Sequence, residues 1–301
     1  MFKRLLARCG LYLTKGYTVY FFSNKKIVQR ELYGKNVLMP RSHSICYNLA
    51  HFPYYNSNLQ RLVDRYQQFR RDGFTILDIG ANIGDTLLML RQVTTLPVRC
   101  FEGDPFYFRL LEKNSRDIPN CYLHPLLLSD RPVSQRMSNR IKLGTSTFEA
   151  DEAHGSLVDF TSIDEFSAGH FPSEPIGVIK SDTDGYDLKI IRGAAATIRK
   201  HLPVLFLEYD RSLFEKNGDD GLQFLQFLAA LGYTGLLVYD NFGKLLCVTS
   251  LAEALTIRGL HAYIKNQRIT FPFYDLAVFS ERDQAFCNEF AAAELTFFEK
   301  G

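Results

Sequence analysis

The pattern of apolar and polar positions changes character near residue 74. Beyond it, short runs that are apolar almost throughout recur at 74–79, 98–102, 121–128, 176–180 and 203–208. Between them lie stretches of helical length at 85–92, 105–114, 187–200 and 219–231, with Pro105 suited to a first helical turn. Strands without polar alternation are covered on both faces. Their regular exchange with helices predicts an α/β fold: a mostly parallel central sheet with helices on both faces. In such sheets ligands bind at the carboxyl ends of strands, near the point where strand order reverses. Further strands are predicted at 233–239, 245–248 and 273–279, and a closing helix at 282–299. Residues 131–160 carry polar and glycine punctuation and predict a hairpin or irregular insert. Residues 1–70 read as a mixed extension with a strand-like piece at 17–22 and a helix near 58–71. The expected division is an N-terminal basic extension (1–60), a central domain (61–281) and a C-terminal helix (282–301).

At 301 residues and 46% hydrophobic content, the chain is long enough for one large domain with extensions. A formal net charge of +2 gives nucleic-acid binding no support. The first 41 residues are locally basic: Lys3, Arg4, Arg8, Lys15, Lys25, Lys26, Arg30, Lys35 and Arg41 face only Glu31. A solvated face explains this arm, and peripheral contact with an anionic membrane or another acidic partner would also use it. No apolar run reaches the roughly 20 residues of a membrane span, and Arg8 and Lys15 interrupt anything like a secretory signal. The expected location is cytoplasmic, with or without contact at the inner face of a membrane. Six cysteines without C-x-x-C spacing predict reduced thiols rather than a disulfide frame or zinc site.

The run Ile76-Leu-Asp-Ile-Gly-Ala-Asn-Ile-Gly-Asp-Thr86 reads as strand, glycine turn and helix. It lacks G-x-G-x-x-G, which disfavours a nicotinamide dinucleotide, and Asp85 stands where a P-loop needs lysine. Gly80 and Gly84, with Ala81 and Asn82 between them, permit close backbone approach. Asp78 and Asp85 would repel a pyrophosphate and suit a cation. S-adenosylmethionine fits, with its sulfonium and ammonium beside one carboxylate. Asp85 is equally explained by first-turn dipole and capping effects. Glu102 ends the second strand, 24 positions after Asp78, where an acid can hold ribose hydroxyls. Asp130, after Ser129, would accept an adenine amino group or cap a turn.

The ordered segments ILDIGANIGDT (76–86), CFEGDPFYFRLLEKN (100–114), VIKSDTDGYDLKIIRGA (178–194) and PVLFLEYD (203–210) resemble the FkbM family of S-adenosylmethionine-dependent methyltransferases. LGTSTF (143–148) and TSIDEF (161–166) fit the same pattern. The resemblance implies a Rossmann-like class I methyltransferase fold, methyl transfer usually to oxygen, and cofactor roles for Asp78, Gly80, Asn82, Gly84 and Glu102. The family's fourth-strand motif resembles K-I-D-V-E-G-x-E. Here Lys180-Ser-Asp-Thr-Asp-Gly-Tyr-Asp187 places Asp184 and Asp187 at the glutamate positions, each one methylene shorter.

A sugar or alkyl hydroxyl is a poor nucleophile, so the acceptor oxygen needs alignment and a base or metal. Asp182 and Asp184 follow a buried strand and are candidate catalytic residues; Asp182 would alternatively hold the methionine amine. Asp187 suits the start of the next helix. Glu208, at the fifth strand end, is a further candidate for acceptor binding or base, and His154 could reach over from the insert. Asp240 and Asn241 suit a turn, or the acceptor pocket. Lys180 would partner the aspartates. DTDGYD is not an EF-hand loop, because glycine is fourth and the twelfth position is Gly193. A divalent metal shared by Asp182, Asp184 and Glu208 is a further expectation. The resulting reading is a methyltransferase for a hydroxyl of a sugar or glycan precursor. Its rivals are a small-molecule methyltransferase for secondary metabolites and a cofactor-binding module without turnover. Sixteen Tyr and 25 Phe could stack on sugars, although most must fill a core.

Overall fold

The computed structural model describes residues 11–13, 19–21, 26–142, 144–265 and 272–300. Near the amino end β1 (Leu11–Leu13) pairs with β2 (Val19–Phe21), and β3 (Ile27–Leu32) with β4 (Lys35–Pro40), both antiparallel. Helices α1 (Ile45–His51) and α2 (Ser57–Phe69) follow. Of the basic arm, Lys26, Arg30, Lys35 and Arg41 are exposed on and beside this hairpin, and the residues before Lys26 lie outside those whose side chains are described.

The chain then lays down β5 (Thr75–Ile79), α3 (Asp85–Leu90), β6 (Val98–Phe101), α4 (Pro105–Ser115) and β7 (Cys121–His124). These three strands are parallel neighbours. The run 121–128, expected as one strand, divides in two. Pro125 has no N–H to donate, so the chain leaves the central sheet there. Leu127–Leu128 becomes β8 of a second sheet. Residues 131–160 are more regular than expected: β9 (Val133–Lys142), β10 (Thr145–Ala150) and β11 (Ser156–Thr161) form an antiparallel ribbon, ordered β10–β9–β11–β8.

After α5 (Ile163–His170) the chain returns through β12 (Ile176–Ser181), on the other side of β5. The helix expected at 187–200 is two: α6 (Asp187–Arg192) and α7 (Ala195–His201). The break falls at Gly193, where a Cβ would stand 2.2 Å from the Ser129 carbonyl oxygen; backbone packing there demands glycine. The rest is β13 (Val204–Tyr209), α8 (Arg211–Lys216), α9 (Gly221–Ala230), β14 (Tyr233–Asp240), β15 (Leu245–Ser250), α10 (Ala254–Tyr263), β16 (Tyr274–Ser280) and α11 (Gln284–Lys300). The central sheet runs β15–β14–β16–β13–β12–β5–β6–β7, with β16 antiparallel to both its neighbours. This is the Rossmann-like sheet the resemblance implies, and its order reverses between β5 and β12.

Each face carries its own core. One joins Leu62, Leu87, Leu111 and Phe290 from α2, α3, α4 and α11, and takes in Leu32, Val37, Met39 and Ile45 from the N-terminal hairpin and α1. The other joins Ile163, Leu188, Ile198, Phe224 and Ile257. Strands β5, β12 and β13 are buried at every position, as runs without polar alternation require. Among the described residues no helix is long and apolar enough to cross a membrane.

Candidate active site

Two cavities open at the carboxyl ends of β5, β6, β12 and β13, where strand order reverses. The first, with about 640 Å³ of empty space counting the solvent at its opening, lies beside β5 and β6. The second, with about 840 Å³ on the same measure, reaches toward β13 and β16. Gly80, Asn82, Asp182 and Asp184 line both, so the cavities meet there.

The junction begins with the glycine turn. Gly80 has φ +77°, and a Cβ at this position would stand 1.9 Å from the Asp182 carbonyl oxygen. Glycine is thus needed for both the conformation and the approach of the β12 loop. Asn82 also has positive φ. Its backbone N–H donates to Glu102 Oε2 at 2.8 Å, and Asp104 N donates to Glu102 Oε1 at 2.7 Å. Those donors fix the Glu102 carboxyl at the mouth of the first cavity. Burial raises it to about 7, against the lowering effect of the two amides. Beyond Glu102 the wall turns apolar through Leu126, Leu128, Phe148 and Phe160.

Asp78 is not brought to the cleft. It is fully buried behind the turn and pairs with Lys180 Nζ at 3.1 Å. The same Nζ donates to the carbonyls of Ile79 at 3.3 Å and Gly80 at 3.1 Å, and reaches Asp182 Oδ2 at 3.9 Å. Parallel register explains this, since Lys180 stands beside Asp78 on the neighbouring strand. Burial opposes the lysine's charge, but Asp78, Asp182 and Asp85 outweigh it and hold its pKa above the ordinary value. The expected partnership of Lys180 with aspartates is present, and it includes Asp78, which sequence reasoning had assigned to a cationic ligand.

The β12 loop is ordered by Asp187, whose carboxylate accepts from Ser181 Oγ at 2.6 Å, Thr183 N at 3.1 Å and Gly185 N at 3.3 Å. Within this loop Asp184 adopts φ +52°, which is unusual for a residue with a side chain. Burial, then repulsion from Asp182 and Asp187, pushes its carboxyl up to about 7. Asp182 is more open, with its side chain 58% exposed.

In the second cavity Glu208 is 8% exposed and its Oε2 has no hydrogen-bond partner. Burial, then the charges of Asp182 and Asp184, raise its pKa well above the carboxylate range. Asp85 lines this cavity and not the first. Among the described residues no group of His, Cys, Asp and Glu is placed to hold a metal ion, so the metal expected from Asp182, Asp184 and Glu208 gains no ligand set.

Four other expected residues stand apart from both cavities. Ala81 is buried, donating to the Phe101 carbonyl, and Gly84 packs against Leu111 at the head of α3. Ser129 is buried with its N–H on Thr161 O, and Asp130 is exposed; both follow β8 away from the cleft. A fifth, His154, is exposed in the β10–β11 turn, where its N–H donates to Asp151. The reach of the insert to the site comes instead through Ser146, Phe148 and Phe160. Asp240 closes its own turn, accepting from Phe242 N and Lys244 N at 2.9 Å each. Asn241 lines neither cavity.

Sequence reasoning missed His43, Tyr55 and Asp275, all in the second cavity. His43 Nδ1 accepts from Ile45 N at 3.2 Å, so its proton lies on Nε2, which donates to Asn82 Oδ1 at 3.3 Å. Asn82 Nδ2 in turn donates to Gly144 O at 2.9 Å. Burial lowers the His43 pKa to about 4, keeping the ring neutral. Of the three, only Asp275 carried a signal, as a lone acid in an apolar strand.

A family model described as the methyltransferase FkbM domain matches residues 78–234. No curated protein matches the chain. Among solved structures, a methyltransferase FkbM from Methylobacillus flagellatus KT is 21% identical with a TM-score of 0.35. The match covers 49% of this chain and 36% of that one, so this chain spans about a third of that protein's length. A TehB-like SAM-dependent methyltransferase from Corynebacterium glutamicum is 13% identical over 75% of this chain and 87% of that one, with a TM-score of 0.40. An O-methyltransferase from Bacillus cereus in complex with SAH is 12% identical over 78% and 88%, also at 0.40.

Proposed function

The chain belongs to the FkbM methyltransferase family, and from that premise we propose that it methylates a hydroxyl of a sugar or glycan precursor, with S-adenosylmethionine as methyl donor. The observation that carries this reading is the meeting of two cavities at Gly80, Asn82, Asp182 and Asp184. The first suits the cofactor. Glu102 offers a buried carboxyl to ribose hydroxyls, and Leu126, Leu128 and Phe160 offer apolar surface to a base. Gly80 and Asp182 line the same cavity, where the methionine end would lie. When bound, the cofactor supplies a methyl group on a positively charged sulfur.

The second cavity suits the acceptor. Its wall carries Asp85, Asp182, Asp184, Glu208 and Asp275, whose oxygens can accept from several hydroxyls of a polyol. Asp184 lies at the junction with a pKa near 7, matched to taking a hydroxyl proton at neutral pH. Its ionised carboxylate removes that proton as the acceptor oxygen attacks. Glu208 orients the acceptor from the inner wall. Asp187 orders the β12 loop, and Lys180 holds the glycine turn from the edge of the second cavity.

Calorimetric titration with S-adenosylmethionine and S-adenosylhomocysteine tests the cofactor half. Micromolar binding is expected, weakened about tenfold or more in Glu102→Ala, or roughly 1.4 kcal/mol. Folded protein that binds neither would end the methyltransferase reading for this chain. With binding established, methyl incorporation into a panel of sugars tests the acceptor half.

A further inference from the structure

Glu208 and Asp275 are register partners on the antiparallel strands β13 and β16. Their side chains therefore stand side by side on one face of the sheet. Both line the second cavity. Like charges placed directly opposite destabilise a sheet, and burying them deepens the penalty. Asp275 Oδ2 accepts from Asn58 Nδ2 at 3.0 Å. Glu208 Oε2 accepts from nothing, although the residue is only 8% exposed. The one lysine or arginine among the described lining residues is Lys180, and its ammonium is engaged by Asp78 and Asp182. His43, the other basic group there, is held neutral. Asp85, Asp182 and Asp184 add to the negative wall. Burial raises both members of the pair; the neighbouring acids add to this at Glu208, while at Asp275 the Asn58 hydrogen bond and the Lys180 charge work against it without cancelling it.

Two facing acids, Glu208 buried and Asp275 half-buried, with the Glu208 Oε2 left without a hydrogen-bond partner, are poorly explained by folding. An apolar pair would be more stable at that place. A ligand ammonium explains it: its three N–H donors would meet the Glu208 and Asp275 carboxylates, and the repulsion would become attraction. We propose that the Glu208–Asp275 pair receives the protonated amine of the acceptor, so that the substrate is an amino sugar or a similar amine-bearing polyol. An acceptor carrying phosphate or carboxylate would meet the same wall with repulsion. This inference rests on the assignment of the second cavity to the acceptor.

The test uses protein saturated with S-adenosylhomocysteine, titrated with D-glucosamine, D-galactosamine and D-mannosamine. Each is compared with its parent hexose and that hexose's 6-phosphate. At least one amino sugar is expected to bind about tenfold or more tightly than its parent, with the phosphates weaker still. Glu208→Gln and Asp275→Asn should each remove most of that preference while S-adenosylhomocysteine affinity, the proof of an intact fold, stays within about threefold. Equal affinity for amine and parent, tighter binding of a phosphate, a preference that survives both substitutions, or silence from every sugar overturns the proposal. Failure to bind S-adenosylhomocysteine at all would instead bring down the methyltransferase reading beneath it.

Discussion

The two halves of the cleft are built by different means. The first cavity is made by consecutive loops on neighbouring strands, and its decisive groups are backbone atoms and the Glu102 carboxyl they hold. The second is assembled from distant parts of the chain, His43 before the first central strand and Asp275 on the last, and its decisive groups are side-chain carboxylates. A ligand common to a whole family can be gripped by a local motif. A ligand particular to one member is met by side chains that the fold brings together, and these can change without disturbing the motif.

The contrast is broken most sharply at the junction. Asp184→Asn should lower kcat by roughly 10²–10⁴, the usual worth of a general base, while S-adenosylhomocysteine binds within about threefold of wild type. Asparagine tolerates the positive φ of this position, so the loop should survive the change. The wild-type kcat/KM should rise with pH through about 7, because burial and then Asp182 and Asp187 hold the Asp184 proton to that pH. Rates that are flat between pH 6 and 8 and indifferent to the substitution would move the base elsewhere.

Gly80→Ala comes next. Its Cβ would collide with the Asp182 carbonyl in a backbone conformation that L-residues avoid. Cofactor affinity should fall about a hundredfold, near 2.7 kcal/mol. Unchanged calorimetric titration would mean that the junction is wider than the turn suggests.

What could be read from the sequence follows the same division. Four of the parallel strands, β5, β6, β12 and β13, were legible because both faces are buried and each run is apolar almost throughout. Glu102 was legible because its distance from the glycine turn is set by one strand–helix–strand unit. Asp78 was misassigned because its partner is 102 positions away and only the register of β5 against β12 reveals it. His43, Ser44 and Ile45, which follow the β3–β4 hairpin and open α1, were invisible as a wall of the site. The core contribution of that hairpin and α1 is a few residues, Leu32, Val37, Met39 and Ile45, in an otherwise exposed segment. His154 was attractive as a titratable residue in an insert that does reach the site, but the insert touches the cleft with other side chains.

His43 tests whether that N-terminal wall serves one cavity or both. It lines only the second, yet its bond to Asn82 reaches the residue whose N–H holds Glu102. One neutral hydrogen bond is worth about 0.5–1.5 kcal/mol. His43→Ala should therefore weaken S-adenosylhomocysteine by only a few-fold and raise the acceptor KM by a larger factor. The reverse ranking, seen by calorimetry and initial rates, would assign the wall to the cofactor.

The smallest expected effect concerns stability, and it separates a group kept for a ligand from one kept for the fold. Burial, moderated by the Asn58 amide and reinforced by Asp182, raises the Asp275 pKa from its ordinary 3.8 to about 7. The folded protein thus holds a proton that the unfolded chain releases, so this residue lowers stability progressively as pH rises from about 4 to about 7. Above that the penalty is complete. Asp275→Asn keeps an acceptor oxygen for Asn58 and removes the charge. It should stabilise the protein by on the order of 1 kcal/mol at pH 8 and by little at pH 4. Thermal melts at the two pH values measure this, and a gain that is larger in acid would contradict the sign. In the cofactor half Glu102→Gln also removes a charge that burial disfavours, but its NH2 would face the Asn82 or Asp104 N–H, and the lost hydrogen bond offsets that gain. An acid whose removal stabilises the empty protein but erases the amine preference is retained for what the cavity binds.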